Sequence, residues 1–215
     1  YFVPIRQVVM NAMNMIEEAS KQKGAVTGIA SGFIDLDYKT AGFQPSDLIL
    51  VAARPSMGKT AFVLSMAKNM AVNAKIPVAL FSLEMSNVQL VNRMIVNVCE
   101  IPGEKIKSGQ LAPYEWGQLD YKIKELYDAP LYVDDTPSLS VFELRTKARR
   151  LVREHGVKII IIDYLQLMNA SGMSFGSRQE EVSTISRSLK GLAKELNIPI
   201  IALSQLNRGV ENREG

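Results

Sequence analysis

The residues best suited to chemistry in this 215-residue chain form one short run, Ala53-Arg54-Pro55-Ser56-Met57-Gly58-Lys59-Thr60. The run follows a continuous apolar stretch, residues 48–52, and opens a segment with apolar residues at helical spacing. A loop between a strand and a helix suits phosphate, because backbone N–H groups at a helix N-terminus point at a bound anion. Lys59 is expected to reach the outer phosphates of a nucleotide, and the Thr60 hydroxyl to ligate Mg²⁺. The predicted nucleotide-binding residues of the loop are Ser56, Met57, Gly58, Lys59, Thr60 and Ala61.

Three polar residues follow other apolar runs and could complete such a site. Asp163 follows residues 159–162, at the strand end where α/β sheets bind ligands, and its carboxylate suits Mg²⁺. The alternative for Asp163 is to cap a helix or a turn. Glu84 could orient the attacking water if its strand lies beside that of Asp163, or it could be a solvated acid at a helix start. Gln205 could sense a γ-phosphate by hydrogen bonding, although a lone glutamine there is uninformative.

The elements that must position these residues alternate along the chain. Five short apolar runs, near residues 50, 80, 132, 160 and 200, are separated by segments with helix signals. Continuous apolar runs are typical of strands covered on both faces, so the sequence predicts an α/β fold, a parallel sheet with helices on both faces. Helix caps are predicted at Ser86, at Gly156, and as capping boxes at Ser140 with Glu143 and at Ser177 with Glu180.

A separate amphipathic helix is predicted at residues 4–23. Its apolar residues recur at spacings of three and four, which forms one stripe that must be buried somewhere. From the residues alone, the helix either folds back on its own domain or docks on a neighbouring subunit. The predicted organisation is a linker helix, residues 1–23, followed by a larger domain, residues 24–215.

Composition narrows the classes of protein. The net charge of +3 is too small to indicate a nucleic-acid or membrane partner by itself. One cysteine, Cys99, and one histidine, His155, rule out an internal disulfide framework and the usual Cys/His zinc site. We expect Cys99 in the core. Asp134 and Asp135 could bind a metal, but a capping role before Thr136-Pro137 is favoured. The apolar runs are too short for a transmembrane helix, so a soluble intracellular protein is expected, and the ends of the chain indicate a piece of a longer protein.

Six motifs in one order carry a family resemblance. They are Thr27-Gly28-Ile29, Gly32-Phe33-Ile34-Asp35-Leu36-Asp37 with Gly42-Phe43, the run from Ala53 to Thr60, Ser82-Leu83-Glu84-Met85-Ser86, Ile162-Asp163-Tyr164-Leu165-Gln166-Leu167-Met168, and Ser204-Gln205-Leu206-Asn207-Arg208. Together they resemble the bacterial replicative DNA helicase family, the DnaB family, over residues 4–214. Ala53 stands where phosphate loops usually carry glycine. From the residues alone, the run could therefore also be an ordinary strand–turn–helix with a surface lysine. Alanine at this position is, however, typical of the family that the motifs resemble.

The resemblance implies a RecA-like P-loop NTPase core preceded by a linker helix that packs on the next subunit. ATP and Mg²⁺ are the implied ligands, with ATP bound between subunits of a ring. The implied strand order, numbered along the chain, is three, two, four, five, one. The implied site residues are Glu84 as catalytic base, Lys59, Gln205 as γ-phosphate sensor, Arg93 against the adenine, and Thr60 and Asp163 on the metal.

The implied function is a cytoplasmic, homohexameric, ATP-dependent helicase that translocates on single-stranded DNA at the replication fork. Primase and a helicase loader are implied partners, and no membrane is. The glycine-rich residues 169–178 are expected to project toward DNA, with Arg178 and Arg187 as DNA contacts or else as solvated helix charges. The arginine finger is expected beyond Gly215. A recombinase-type RecA-like ATPase is the alternative, and a non-catalytic nucleotide-gated scaffold is disfavoured by the intact catalytic set.

Overall fold

The computed structural model describes residues 2–21, 27–53, 58–170 and 176–205. The chain divides into two compact units, Tyr1–Gln44 and Pro45–Gly215. The sequence places a domain limit after residue 23, whereas the first compact unit continues to Gln44, because Ile29 and Phe43 pair in an antiparallel bridge within it. Within the described ranges, no helix has the length and apolar character needed to cross a membrane.

The first unit contains the amphipathic helix α1 (Ile5–Lys21) and the short helix α2 (Ile34–Thr40). The predicted helix is therefore confirmed over Ile5–Lys21, and residues 22 and 23 lie outside the described part of the chain. Its apolar side chains are exposed, from 47% for Val8 to 76% for Ile5. An apolar stripe gains free energy only when another surface covers it, so α1 has the character of a docking element.

The second unit alternates strands with helices, as the apolar runs predict. Its strands are β1 (Leu48–Ala53), β2 (Val78–Ser82), β3 (Leu131–Asp134), β4 (Ile159–Asp163) and β5 (Ile200–Gln205). Its helices are α3 (Lys59–Ala67), α4 (Asn87–Cys99), α5 (Gly103–Ser108), α6 (Pro113–Tyr127), α7 (Val141–His155) and α8 (Arg178–Leu196). A π-helical segment, Lys68–Asn73, continues α3, and a 3₁₀ turn, Leu165–Leu167, follows β4.

The five strands form one parallel sheet in the order β1-β5-β4-β2-β3, which confirms the implied order. The four isoleucines of the central strand β4 are fully buried, as a continuous apolar run predicts. The register pairs Ser82 with Asp163, and Ala53 with Gln205. Because all the strands run in one direction, their polar ends meet at the same edge of the sheet.

Three helix caps agree with the sequence. Ser86 and Gln89 form a complete capping box at the start of α4. The Ser140 hydroxyl accepts a hydrogen bond from the Glu143 N–H at 3.0 Å, so Ser140 caps α7 as predicted, but only this half of the predicted capping box is found. Gly156 ends α7 in the left-handed conformation. These caps fix the start of α4 and both ends of α7, the helix between β3 and β4.

The capping box predicted for α8 is wrong in one half. The Ser177 hydroxyl accepts from the Glu180 N–H at 3.2 Å, as expected, but Glu180 Oε2 accepts from the N–H of Gly176 at 3.0 Å. A Cβ atom at Gly176 would lie 3.1 Å from Glu180 Oε2, so the missing side chain lets the carboxylate approach this backbone group. The Glu180 side chain therefore accepts from Gly176, the residue before the N-cap, rather than from the N-cap residue Ser177 itself.

Candidate nucleotide-binding site

A cavity of about 380 Å³ lies where α3 begins, beside the residues that follow β2 and end β5. All the residues that line it belong to the nucleotide site expected from the sequence: Gly58, Lys59, Thr60, Ala61, Glu84, Arg93 and Gln205. The predicted residues Ser56 and Met57 lie outside the described part of the chain. The fold thus brings together residues from three separate motifs of the sequence, between Gly58 and Gln205.

Gly58 determines where α3 starts. Its φ of +71° lies in the left-handed region, where a side chain is strained even though nothing lies within 4 Å of an added Cβ. The turn at Gly58 makes Lys59 the first residue of α3, followed by Thr60. The N–H groups of a first helical turn have no partner within the helix, and together with the helix dipole they favour an anion.

Lys59 is the centre of an ionic cluster. Its Nζ lies 3.1 Å from Glu84 Oε2 and 3.1 Å from Asp163 Oδ1. The same ammonium lies 3.8 Å from the centre of the Tyr164 ring, which adds a cation–π contact. One largely buried cation therefore holds together two carboxylates that would otherwise repel each other, and Glu84 and Asp163 meet at one edge of the sheet as predicted.

The Asp163 carboxylate is buried with one of its two oxygens, Oδ1, short of a hydrogen bond. Its side chain is 3% exposed, and among the described residues no donor is aligned on Oδ1 for a hydrogen bond, so the contact with Lys59 is an ion pair by distance alone. Burial raises the pKa of Asp163, the charge of Lys59 opposes that rise, and the negative charge of Glu84 adds to it. A buried carboxylate in this condition is stabilised by added positive charge.

The side-chain oxygens at the start of α3 and at the end of β4 suit Mg²⁺. The Asp163 carboxylate and the Thr60 hydroxyl are oxygen ligands of the type that Mg²⁺ prefers. No group of three His, Cys, Asp or Glu residues that could hold a metal occurs within the described ranges. Mg²⁺ sites commonly use one or two protein carboxylates together with substrate phosphates.

Glu84 meets the geometric condition for a water-orienting residue. It follows β2, whose last residue, Ser82, pairs with Asp163 of β4, so the two strands are neighbours. Its side chain is 51% exposed, which leaves it accessible to water and to a ligand in the cavity. Glu84 Oε2 also accepts a hydrogen bond from Lys59 Nζ, so the lysine occupies the carboxylate here.

A residue that the sequence analysis did not single out holds the end of β5. Gln166 Nε2 donates to Ser204 Oγ at 2.9 Å and to the Gln205 carbonyl at 3.2 Å. In return, the Gln205 N–H donates to Gln166 Oε1 at 3.1 Å. Gln166 and Tyr164 both lie within three positions of Asp163, and that closeness to a predicted ligand is the signal that could have found them.

The two arginines predicted to contact DNA have different surroundings. Arg178 donates to the carbonyl oxygens of Gln166 and Met168 and pairs with Glu181, while its side chain remains 50% exposed. Arg187 is exposed on α8. Arg178 thus has a structural role inside the fold, and a DNA contact by either arginine stays a prediction.

The remaining polar residues singled out from the sequence are structural. Asp134 accepts from the Thr136 N–H and Asp135 from the Asn87 N–H, each at 2.9 Å. The first contact closes the predicted turn, and the second reaches the first residue of α4. Cys99 is buried, as expected.

Strand order and the position of the cavity together place the second unit in the RecA-like class of nucleotide-binding domains. A family model described as the DnaB-like helicase C terminal domain matches residues 28–215. The chain belongs to that family.

Comparisons with individual proteins agree. The chain is 50% identical to the replicative DNA helicase DnaB of Geobacillus stearothermophilus, over 99% of this chain and 47% of that protein. It is 49% identical to the replicative DNA helicase DnaC of Bacillus subtilis (strain 168), over 99% of this chain and 47% of that protein. The chain therefore spans about half the length of these curated relatives.

Two solved structures are similar to the whole fold. One, described as an ATPase domain, has a TM-score of 0.90 at 39% identity, covering 100% of this chain and 75% of that one. The other, a DnaB-like replicative helicase solved in a study of its interactions with primase, has a TM-score of 0.84 at 39% identity, covering 99% of this chain and 55% of that one.

Proposed function

We propose that this chain is the ATP-hydrolysing motor domain of a replicative DNA helicase, which couples hydrolysis to translocation on single-stranded DNA and to unwinding of the duplex. The observation that carries the proposal is Lys59, held between Glu84 and Asp163 beside a cavity lined by the predicted nucleotide residues. A lysine so placed is available to a phosphate that offers more negative charge than either carboxylate.

Phosphate binding frees the catalytic base. The start of α3 binds the phosphates through its N–H groups, and Lys59 turns its ammonium toward the γ-phosphate. Glu84 then loses its ion-pair partner and accepts a proton from the attacking water. Because the lysine and the base are paired before the nucleotide enters, the base is released only when a phosphate is in place. Arg93, which lines the same cavity, lies against the adenine of the bound nucleotide in this proposal.

Thr60 and Asp163 are the residues that hold Mg²⁺ in this proposal. When bound, the cation neutralises charge that develops on the phosphates. Asp163 gains a partner for the oxygen that otherwise has no hydrogen bond. Gln205, which ends β5 and lines the cavity, donates to the γ-phosphate and reports its loss to that strand.

The larger assembly is proposed from the family resemblance and from α1. The exposed apolar stripe of α1 packs on the next subunit of a homohexamer, where it is buried. Single-stranded DNA contacts Arg178 and Arg187 in the ring. Primase and a helicase loader are the proposed partners, in the cytoplasm, and primase appears with one of the similar solved helicases.

Phosphate release from ATP by the full-length protein, with and without single-stranded DNA, tests the function when it is paired with strand separation on a forked duplex. We expect DNA to stimulate hydrolysis, and ATP to drive unwinding with the 5′-to-3′ polarity that the family resemblance implies. Lys59→Ala should abolish both. Stimulation by DNA without unwinding would favour a recombinase-type ATPase. Hydrolysis that ignores DNA, with no unwinding, would contradict the helicase proposal while leaving the nucleotide site intact.

A further inference from the structure

We propose that Gln166 is a positioning residue, which sets the place of Gln205 in the nucleotide cavity and links it to the first turn of α8. The inference rests on the proposed ATPase function of the cavity. Gln166 itself does not line the cavity, whereas Gln205 does. Any effect of Gln166 on hydrolysis must therefore pass through the end of β5.

The Gln166 amide makes hydrogen bonds to the end of β5, where β5 extends beyond its ladder with β4. The ladder between β4 and β5 ends where Ile162 pairs with Ala202, whereas β5 continues to Gln205. Beyond the ladder, the side chain of Gln166 accepts from the Gln205 N–H at 3.1 Å and donates to the Gln205 carbonyl at 3.2 Å. These are the two kinds of hydrogen bond that a neighbouring strand makes, supplied by a side-chain amide with the same donor and acceptor groups.

A further bond makes the arrangement specific to an amide. Gln166 Nε2 also donates to Ser204 Oγ at 2.9 Å, so the side chain contacts two successive residues of β5. Both ends of the amide are engaged, and Gln166 is half-buried. An apolar side chain of similar length would leave the Gln205 N–H and carbonyl without these partners at the point where Gln205 reaches the cavity.

The backbone of Gln166 is itself fixed from α8. Gln166 lies in the 3₁₀ turn Leu165–Leu167, and its carbonyl oxygen accepts from the guanidinium of Arg178, the first residue of α8. The same guanidinium donates to the Met168 carbonyl at 3.1 Å. A displacement of the first turn of α8 is thus transmitted through one turn and one side chain to Gln205. The contacts form a continuous path from α8 to the γ-phosphate end of the site.

The test measures ATP hydrolysis and ADP affinity in the full-length protein carrying Gln166→Met, alone and together with Gln205→Ala. We expect Gln166→Met to lower kcat by about 10- to 100-fold, because a small misplacement of a catalytic group has effects of that size. ADP affinity should change by less than about two-fold, since ADP has no γ-phosphate for Gln205 to contact. In the Gln205→Ala background, the added loss from Gln166→Met should shrink to within about two-fold.

Matched variants separate this role from a loss of folding. Gln118→Met removes an amide that donates to the Cys99 carbonyl at 3.0 Å in another half-buried setting, and it should leave kcat unchanged. Gln166→Glu keeps the acceptor for the Gln205 N–H but places a carboxylate oxygen against the Gln205 carbonyl, so it should also lower kcat while ADP affinity stays within about two-fold. This result can be measured even if the methionine variant does not fold.

Equal losses from Gln166→Met with and without Gln205 would overturn the positioning role, and so would a parallel loss of ADP affinity. A loss of kcat in Gln118→Met equal to that in Gln166→Met would overturn it as well. These outcomes differ from failure of the proposed function, in which the wild-type protein itself shows no hydrolysis that Lys59→Ala removes.

Discussion

Two ion pairs of this fold join a lysine to a buried carboxylate: Lys105 with Glu115, and Lys59 with Asp163. They differ in how many hydrogen bonds the carboxylate accepts. Glu115 accepts two bonds from Lys105, at 2.8 and 2.9 Å, and one from the Ala112 N–H at 3.1 Å. Asp163 shares its lysine with another acid and keeps one oxygen without a hydrogen bond within the described residues. The first pair joins two helices, and the second lies beside the cavity.

The two carboxylates have opposite pKa shifts for this reason. The hydrogen bond from Lys105 and that from the Ala112 N–H hold the pKa of Glu115 below its usual range. Burial raises the pKa of Asp163, and Lys59 offsets this only in part. A carboxylate whose hydrogen bonds are all made within the fold contributes to the stability of the folded state. A buried carboxylate with too little positive charge around it can gain that charge from a bound ligand.

The largest expected difference between the pairs is in nucleotide binding. Lys59→Ala should weaken binding of ATP by about 100-fold or more, because it removes charge-assisted bonds to the phosphates. Lys105→Ala should leave the affinity unchanged. Titration of both variants with a fluorescent ATP analogue makes the comparison, and an equal loss in both would mean that Lys59 has no special place in the site.

The next largest effect is expected on the hydrolysis rate. Glu84→Gln keeps the shape of the side chain but cannot accept a proton, so the rate should fall by about 10²- to 10⁴-fold while ATP binding persists. The variant also removes one partner of Lys59. Single-turnover hydrolysis and equilibrium binding measure the two quantities separately, and loss of binding together with the rate would contradict the assignment of Glu84 as the base.

Glu115→Gln should lower the free energy of unfolding and leave hydrolysis unchanged. Because the pKa of Glu115 is depressed in the folded state, its stabilising effect is present above the usual pKa of a glutamate. That effect is lost as the pH falls through the folded-state pKa. The destabilisation should therefore be full at pH 7 and shrink in acid, as urea unfolding over a pH series will measure. If the difference in free energy of unfolding between wild type and Glu115→Gln did not change with pH, the ion pair with Lys105 would not be its cause.

The smallest effect is expected where a similar pair is exposed. Arg149 and Glu195 approach to 2.8 Å on the surface of α7 and α8, with side chains 51% and 46% exposed. Arg149→Ala should change the free energy of unfolding by no more than about 0.5 kcal/mol, because water screens such pairs. A loss as large as that of Glu115→Gln, measured in the same urea series, would show that burial is not what separates the pairs.

The sequence predicts the polar edge of the sheet well, for a physical reason. Parallel strands deliver their carboxyl ends to one edge, so Glu84, Asp163 and Gln205 could be placed together from the apolar runs before them. The order of the strands came from the resemblance rather than from periodicity. The role of Glu84 as base remains a proposal, although the strand adjacency on which it depends is confirmed.

The contacts around the site were harder to predict. Gln166 contacts β5 only because the 3₁₀ turn after β4 brings its side chain back toward a distant strand, with separations of 38 and 39 residues. Neither apolar periodicity nor a cap pattern indicates such a turn. Glu180 shows the reverse case, since the capping pattern was present but its carboxylate accepts from the N–H of Gly176, the residue before the N-cap.

The most direct test of the account is the free energy of unfolding of wild type and Asp163→Asn, each with and without Mg²⁺ and a non-hydrolysable ATP analogue. Since a raised pKa means that the ionised carboxylate destabilises the ligand-free fold near neutral pH, the variant should be at least as stable as wild type at pH 7. This advantage should shrink as the pH falls through the raised folded-state pKa of Asp163, because the wild-type carboxyl then becomes neutral as well. With ligand at about 100 times its Kd, wild type should gain about 2.7 kcal/mol and the variant much less. A variant that is less stable without ligand, yet gains as much with it, would contradict the claim that the fold leaves Asp163 unsatisfied for a nucleotide-bound cation.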